Sequence, residues 1–534
     1  MLLQTSLEQK AADSAYVTSG GDIFDLIMSA GTSLAETAAT TACGIHSGKS
    51  KTTPESAAIV IVCGSGNNGC DGLAAAYELA RKGFSPRVYT VCPNRDSNKS
   101  SARARLEKLL EEHAQVTVNT AFDADPDAEP AASFISDLSS ADVVLDCVFG
   151  SGFDVSRPLS PGISSVFDDI NRSAATVISA DVPSGVSADT GETVENPVKA
   201  DVTVAFSGAK PGHFILPGKA FCGRVTVADI PLLHKLSSVS GTREAFTPQD
   251  LETVKKLLPV RNPYGHKYSN GRVLVVAGSK RFCGAAILAV SSSLRSGAGL
   301  VTSAVPGAII DAVTVACPEA VRLPLGDRFS ETLTPAHVPA VLAEAAESTA
   351  VVIGPGLGRD VQTLEAVREI IASPEVRRVV VDADALFAVS PLDGTAKDMF
   401  KNKSVVLTPH EAEAARLAGT GTAEILRHRL AYATEISKIT GAVTVLKGSG
   451  TITLSGPDNF TVNSTGNSSL SKGGSGDVLS GLAGALLAQA CNPYDAARAA
   501  VFIHGLAAEK LSAKYSEFCV LPGDLPVAFS EILC

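Results

Sequence analysis

Short runs of β-branched and apolar residues recur along the chain with helical patterns between them, and this alternation limits the fold more than any other feature. The runs are Ala57 to Cys63, Val143 to Asp146, Val177 to Asp181, Val202 to Phe206, Val273 to Gly278, Val351 to Gly354, Val379 to Asp382, Val405 to Leu407 and Val443 to Lys447. Strands joined through helices run parallel, because the crossover returns the chain to the same end of the sheet and covers a face of it. Most runs end in Gly, Asp or a polar cluster. In open parallel sheets ligands gather beyond the carboxyl ends of the strands, so the chemistry is sought at that edge.

The chain has 534 residues, more than one ordinary domain holds. The pattern breaks at Leu236 to Phe246, a stretch of small polar residues, and Thr247-Pro248-Gln249-Asp250 reads as a helix start with proline at its first position. The expected domains are residues 1–240 and 241–534, each α/β and the size of one doubly wound domain. Ser47 to Ser56 and Phe122 to Pro130 read as exposed loops. A net charge of −11 argues against nucleic acid or an acidic membrane as the main partner. No apolar run reaches the roughly 18 residues of a membrane span. The 11 cysteines include no C-x-x-C pair, and several lie inside apolar runs, which suits buried thiols in a reducing compartment. Met1 to Lys10 has no signal-peptide pattern, so a cytoplasmic location is expected, with organellar import by an atypical signal left open. A homo-oligomer is also expected.

After the run ending at Cys63 comes Gly64-Ser65-Gly66-Asn67-Asn68-Gly69-Cys70-Asp71-Gly72, followed by the helical pattern Leu73 to Lys82. Gly64, Gly66 and Gly69 satisfy G-x-G-x-x-G between a strand and a helix, where glycines let a pyrophosphate approach the backbone at a helix N-terminus. The glycines alone fit a tight turn capped by Asn and Asp equally well. A dinucleotide-binding dehydrogenase also carries an acidic residue at the end of its second strand. Arg87 to Cys92 ends in Pro93 without one, which argues against that class. Asn67, Asn68 and Asp71 supply more polar groups than a turn requires. Asp146, before Gly150-Ser151-Gly152, and Asp181, before Val182-Pro183-Ser184-Gly185, stand at two further strand ends. Such oxygens can hold a hard cation, do acid/base work or merely cap the turns. Lys210, in Ala209-Lys210-Pro211-Gly212, brings a cation to the same edge.

Together these segments, over roughly residues 8 to 230, closely resemble the YjeF N-terminal family, epimerases of hydrated NAD(P)H, or NAD(P)HX. The family loop reads G-x-G-N-N-G-G-D-G, and this chain departs from it at Cys70. The resemblance implies a Rossmann-like three-layer sandwich. It implies dinucleotide binding by Asn67, Asn68, Gly69, Cys70 and Asp71, by Gly150, Ser151, Gly152, Phe153, Asp154, Val155 and Ser156, and by Asp181. It also implies a potassium ion on Asn68, Asp146 and Ser184. Asp181 and Lys210 are the acid/base candidates. Some members of the family keep the fold as a scaffold only, and the retained polar residues favour an enzyme here.

In the second half, Lys472-Gly473-Gly474-Ser475-Gly476-Asp477 precedes an apolar small-residue helix, Val478 to Ala490. Backbone N–H groups at a helix N-terminus form an anion hole for a transferring phosphoryl group, and a carboxylate beside them can take a hydroxyl proton. No Lys-Ser/Thr follows the last glycine, so this is not a Walker A loop. A capped glycine turn with Asp477 serving the helix dipole is the plainer alternative. Lys447-Gly448-Ser449-Gly450-Thr451 and Thr408-Pro409-His410-Glu411-Ala412-Glu413 follow strands, as does Gly354-Pro355-Gly356-Leu357-Gly358. Each is either a turn or a lining of the same crevice, and a lone His410 is more often an ordinary loop residue.

From about Asn262 onward, the order of these segments is similar to that of the ribokinase-like dehydratases of NAD(P)HX, which have a doubly wound sheet. That resemblance implies that Ala286, Gly356, His410 and Asp477 contact the hydrated dinucleotide. Lys447, Gly448, Ser449, Gly450, Thr451 and Gly476 would contact the adenine nucleotide. The departure here is Glu411-Ala412 where the family usually has Pro-Gly. The whole chain then reads as a two-domain repair enzyme. One domain would interconvert the R and S epimers of NAD(P)HX, and the other would dehydrate the S epimer with ADP as phosphoryl donor, ATP being a possible substitute and Mg2+ accompanying the nucleotide. A ribokinase-like small-molecule kinase and a non-catalytic dinucleotide-binding scaffold are the alternatives.

Overall fold

The computed structural model describes residues 1–44, 53–91, 101–122, 128–230 and 242–533. Most of the expected loops Ser47 to Ser56 and Phe122 to Pro130, the end of the second run at Cys92 and Pro93, and the first part of the boundary stretch Leu236 to Phe246 lie outside the described residues. Leu2–Ser240 forms one compact unit, and Gly241–Cys534 with Met1 forms another.

The first unit holds β1 (Ile59–Cys63), β2 (Arg87–Thr90), β3 (Thr117–Thr120), β4 (Val143–Cys147), β5 (Thr176–Ala180), β6 (Val202–Phe206) and β7 (Arg224–Ala228) in the order β3-β2-β1-β4-β5-β6-β7. Every neighbouring pair is parallel. Side chains of a strand alternate between faces, and β1 is buried throughout. Ile59, Ile61 and Cys63 join the core of helices Ile23–Ala42 and Asn67–Arg81. Val60 and Val62 join the core of helices Ala132–Ser139 and Pro161–Arg172. The result is the three-layer sandwich that the resemblance implies, built on the parallel sheet expected from the alternation. Helix Asn67–Arg81 starts at Asn67, earlier than the Leu73 read from the apolar pattern. The amphipathic signal was hidden because the first turns bury polar residues, Asn68 and Asp71, as well as apolar ones.

The second unit holds β8 (Arg243–Phe246), β9 (Arg272–Val276), β10 (Leu300–Pro306), β11 (Val321–Leu325), β12 (Ala350–Ile353), β13 (Arg378–Val381), β14 (Ser404–Leu407), β15 (Val443–Leu446), β16 (Thr451–Leu454) and β17 (Phe460–Asn463). Their order is β11-β10-β9-β12-β13-β14-β15-β16-β17-β8. The sheet is parallel from β11 to β15, as expected, but β16 is antiparallel to both β15 and β17. The links Lys447 to Gly450 and Ser455 to Asn459 are too short for a crossover, which needs a dozen or more residues. Thr451, read from sequence as the end of a loop, is therefore the first residue of a strand.

Helix Ser475–Ala488 lies in the core of this unit between helices Cys283–Arg295 and Pro493–Tyr515. Its close crossing with the first of these requires Gly481, where a Cβ would fall 2.2 Å from the Ala289 carbonyl oxygen. That crossing sets where the N-terminus of helix Ser475–Ala488 points.

In the first unit, Phe167 is fully buried on helix Pro161–Arg172 and meets Phe149 edge-on at 6.0 Å, beside the loop that leaves β4. Phe167→Ala should lower unfolding stability by about 3–5 kcal/mol in denaturant titration. A loss below about 1 kcal/mol would show that this contact does not hold the layer in place.

Candidate active sites

In the first unit the strand order reverses between β1 and β4, so the loops leaving these strands diverge and open a crevice. A Cβ at Gly64 would meet the Val148 carbonyl oxygen at 2.1 Å, and one at Gly69 would meet the Gly64 carbonyl oxygen at 2.0 Å. These two glycines are required by loop packing. A Cβ on Gly66 or Gly152 would meet nothing within 4 Å, leaving room there for a ligand to approach the backbone. Buried Arg103 steadies the loop, its Nη1 donating to the Gly64 carbonyl at 3.0 Å. Cys70, the departure from the family loop, is packed in the hydrophobic core.

Asn67, Asn68 and Asp71 occupy the first turns of helix Asn67–Arg81. Asn68 is buried and packs against Gly150, and its Nδ2 has no partner. The Asp146 carboxylate accepts bonds from Ser179 Oγ at 2.8 Å, from the Ser184 N–H at 2.9 Å, from Ser184 Oγ, and from the Val148 N–H at 3.3 Å. Burial pushes its carboxyl up in spite of these bonds. Gly150 to Ser156 starts at this edge: the Ser151 N–H donates to Asp181 at 3.3 Å, and Phe153 stacks on Phe149 at 4.6 Å. Val155 follows at the tip, where Asp154 takes bonds from the Ser156 N–H and Oγ at 3.0 and 2.7 Å.

Asp181 sits just past β5 with φ +63°, a left-handed conformation that costs a non-glycine residue energy and turns its side chain toward β6. It is salt-bridged to Lys210, with both side chains almost completely buried. Lys210 Nζ also donates to the Phe206 carbonyl at 2.9 Å, and the Phe206 N–H donates to Asp181 at 3.2 Å. Burial alone would raise the Asp181 carboxyl, but the Lys210 charge outweighs it and holds the group ionised. His213 Nδ1 accepts the Lys210 N–H at 3.1 Å, which leaves Nε2 to donate to the Asp181 carbonyl at 2.8 Å. Burial and the Lys210 charge push this imidazole down to about 4, so it is neutral. Burial, then the charges of Asp181 and Asp13, push the Asp71 carboxyl far above its ordinary range. Asp13, on helix Ser6–Thr18, was not singled out by sequence, where it is one acidic residue on an amphipathic helix.

In the second unit the reversal falls between β9 and β12. The loops beyond these strands are tied together by the Gly278 N–H donating to the Pro355 carbonyl at 2.7 Å and by Ser279 Oγ donating to the Gly356 carbonyl at 2.8 Å. Gly356, at φ +64°, packs against Phe282 and Ala285. Ala286 is fully buried beneath this turn, so its side chain offers the crevice no surface. His410 caps helix Glu411–Ala418: its Nδ1 accepts from the Ala412 N–H at 3.1 Å, and its own N–H donates to Glu413 at 2.8 Å. Glu411 is paired with fully buried Arg429, which donates to the Leu446 and Lys447 carbonyls at 3.3 and 3.1 Å. The Glu411-Ala412 departure therefore braces the loop after β14 against the loop after β15. Gly448, with φ +141°, passes over that pair. Ser449 and Gly450 complete the turn, and Thr451 Oγ1 donates back to the Gly448 carbonyl at 2.8 Å.

Lys447 points inward, 2.9 Å from Asp382 and 3.7 Å from Glu413. Burial would lower its ammonium, but these carboxylates outweigh burial and raise it. Asp382 also accepts from Ser480 Oγ and stays ionised, because Lys447 and this bond overcome the effect of burial. The next residue, Ala383, is in the left-handed region at φ +50°, and Asp384 then takes Gly358 N–H at 2.9 Å and Arg359 at 2.8 Å. Gly476 lies over the pair: a Cβ there would be 3.5 Å from Lys447 Nζ and 3.8 Å from Asp382. Burial, and then the charge of Asp382, push the neighbouring Asp477 carboxyl up to about 7. Sequence reasoning missed Asp382 and Asp384 as site residues, although the run Val379 to Asp382 ends in the first of them. Asp477, Lys447 and Gly476 are brought together, with His410 connected to them through Glu413.

Two family models match the chain: YjeF-related protein N-terminus over residues 24–212, a span that begins after helix Ser6–Thr18, and NAD(P)H-hydrate dehydratase over residues 273–529. The bifunctional NAD(P)H-hydrate repair enzyme Nnr of Moorella thermoacetica is 34% identical over 469 residues, 88% of this chain and 86% of that one. The Escherichia coli enzyme of the same name is 32% identical, over 88% and 84% of the two chains. Among solved structures, the ADP/ATP-dependent NAD(P)H-hydrate dehydratase of Bacillus subtilis, co-crystallised with ATP/Mg2+, is 29% identical. It covers 53% of this chain and 95% of that one, with a TM-score of 0.45. The chain belongs to the family of bifunctional NAD(P)H-hydrate repair enzymes, which join a YjeF-type domain to an NAD(P)H-hydrate dehydratase domain.

Proposed function

We propose that the unit of residues 1–240 epimerises R- and S-NAD(P)HX, and that the unit of residues 241–534 dehydrates the S epimer using ADP, giving NAD(P)H, AMP and phosphate. The observation that carries the second assignment is Asp477, a half-buried carboxyl raised to about 7 at the start of helix Ser475–Ala488, beside the Gly473 to Gly476 backbone. A base poised there can take the proton of the ring hydroxyl while the oxygen attacks the terminal phosphate of the nucleotide. The N–H groups at the helix start face the developing charge on the phosphoryl oxygens. Hydroxide is a poor leaving group and phosphate a good one, so phosphorylation lets the ring eliminate and regain its double bond. Lys447 to Thr451 and Gly476 would hold the nucleotide, with Gly356, His410 and Asp477 on the dinucleotide side. Ala286 would act from beneath, by supporting the turn.

Magnesium would accompany the polyphosphate. In the first unit Asn67 to Asp71 and Gly150 to Ser156 would hold the dinucleotide. The oxygens of Asn68, Asp146 and Ser184 would be the donor set for a hard cation, and the fully buried Asp146 carboxylate, with no positive charge among the groups that shift it, supports potassium there. Potassium would supply a positive charge next to the otherwise uncompensated Asp146. Asp181 and Lys210 would position the reacting ring between a fixed anion and a fixed cation.

Asp477→Ala should slow dehydration of S-NADHX by about 10²–10⁴-fold, the usual scale for a lost general base, while epimerisation persists. Near-normal NADH formation by that variant would remove Asp477 from the mechanism. Since the base works ionised, kcat/KM for S-NADHX should rise with pH through about 7. Asp382→Asn removes a negative charge that raises Asp477 and frees Lys447 to lower it, so the ascending limb should move to lower pH. A pH–rate profile of that variant with the limb unmoved or moved upward would contradict this electrostatic account.

A further inference from the structure

The start of the chain is built into the edge of the first site. The Gln4 N–H donates to the Ala209 carbonyl at 2.8 Å, with Leu3 and Ala209 in parallel pairing, so the segment runs alongside the residue that precedes Lys210. Ser6 then binds Asp189 through its N–H at 2.7 Å and through its hydroxyl. Thr5 and Glu8 close a capping box that launches helix Ser6–Thr18 from this anchor. Gln9 and Asp13, four residues apart, lie on one face of that helix.

This segment, the loop after β6 and the first turn of helix Asn67–Arg81 carry buried polar atoms without a hydrogen-bond partner. Gln4, only 5% exposed, has neither amide atom bonded, and Ser207, 1% exposed, has an unpartnered hydroxyl. Gln9 Oε1 and Asn68 Nδ2 are likewise buried without partners. Gln4 packs against Gly208, and Ser207 adjoins Phe206, whose N–H and carbonyl bind Asp181 and Lys210. Buried donors and acceptors are nearly always paired, so this group marks a lining meant for a polar ligand. Asp13 has electrostatic neighbours but no hydrogen bond among the described residues.

We propose that Asp13 is a catalytic carboxylate of the epimerase site, which moves the proton of the reacting hydroxyl. The proposal rests on the epimerase reading of this unit. Hydration of the enamine-like ring places the hydroxyl on the carbon bonded to the ring nitrogen, making a hemiaminal. Its inversion proceeds when Asp13 takes the hydroxyl proton, the carbon–oxygen double bond forms, and the carbon–nitrogen bond breaks with its electron pair going to nitrogen. Nitrogen receives a proton from Asp71, whose carboxyl is raised far above its ordinary range by burial and then by the charges of Asp181 and Asp13. Rotation of the aldehyde and reversal of both proton transfers closes the ring on the other face, with no net change in the protein. The charged and titratable groups facing Asp13 are Asp71 on helix Asn67–Arg81, Asp181 beyond β5, and Lys210 beyond β6, the last two in contact with neutral His213. Burial and the Asp181 charge raise the Asp13 carboxyl to about 6, with Lys210 opposing them. It is thus ionised, yet only weakly acidic, at neutral pH.

The test uses the full chain with R-NADHX as sole substrate, its isomerisation to S followed chromatographically without nucleotide. Asp13→Asn should reduce kcat by 100-fold or more, with KM changed less than threefold and the ascending limb near pH 6 gone. Asp13→Glu should recover at least a tenth of the wild-type rate and keep a limb. An Asp13→Asn rate within threefold of wild type, or an Asp13→Glu variant as inactive as Asp13→Asn, would overturn the proposal alone. A wild-type chain that leaves R-NADHX unconverted would overturn the epimerase reading and the proposal with it.

Discussion

Each unit sets a lysine ammonium against a buried aspartate near a strand end, and much of the chemistry depends on those two pairs. Taking either ion out of water alone costs several kcal/mol, so neither can be buried without the other and without hydrogen bonds to finish the job. The supporting bonds are present. Phe206 donates its N–H to Asp181 and accepts from Lys210 through its carbonyl, whereas Ser480 donates to Asp382. Both sites also carry a non-glycine residue in the left-handed region, Asp181 itself and Ala383 just after Asp382. Strain of this kind persists where the surroundings over-determine the conformation.

The pairs also set the state of their neighbours. Once Lys210 holds Asp181 ionised, the same low-dielectric pocket cannot readily accept a second or third anion, and Asp71 and Asp13 move up. Burial, and then the charge of the Asp382 that Lys447 holds ionised, raise the Asp477 carboxyl to about 7. A fixed charge pair beside a group free to gain or lose a proton is the arrangement acid/base work needs, and the two units reach it with different strand orders.

Sequence made the parallel sheets legible, because alternating strand and helix patterns leave one economical connection rule. It also located the loops after β1, β4, β5, β6, β15 and before helix Ser475–Ala488, since glycines and carboxylates at strand ends are local signals. The start of helix Asn67–Arg81 was not legible, because its first turns bury an amide, Asn68, and a carboxylate, Asp71. The β15–β16–β17 edge was misread where a strand begins directly after a glycine turn. Asp13 carried no signal: its role depends on Gln4 pairing with Ala209, a contact across some two hundred residues. Ala286 shows the opposite limit, since a resemblance passes on a position without saying that its side chain is buried.

A stereospecific dehydratase clears only one epimer of a lesion that forms as two, which gives a physical reason for one chain to carry both sites. The most direct measurement supplies the purified chain with a mixture of both NADHX epimers, potassium, magnesium and ADP, and follows NADH together with phosphate release. The account predicts complete recovery of NADH with one phosphate released for each NADH formed. Recovery that stops at the S fraction, or that proceeds without nucleotide, would contradict it.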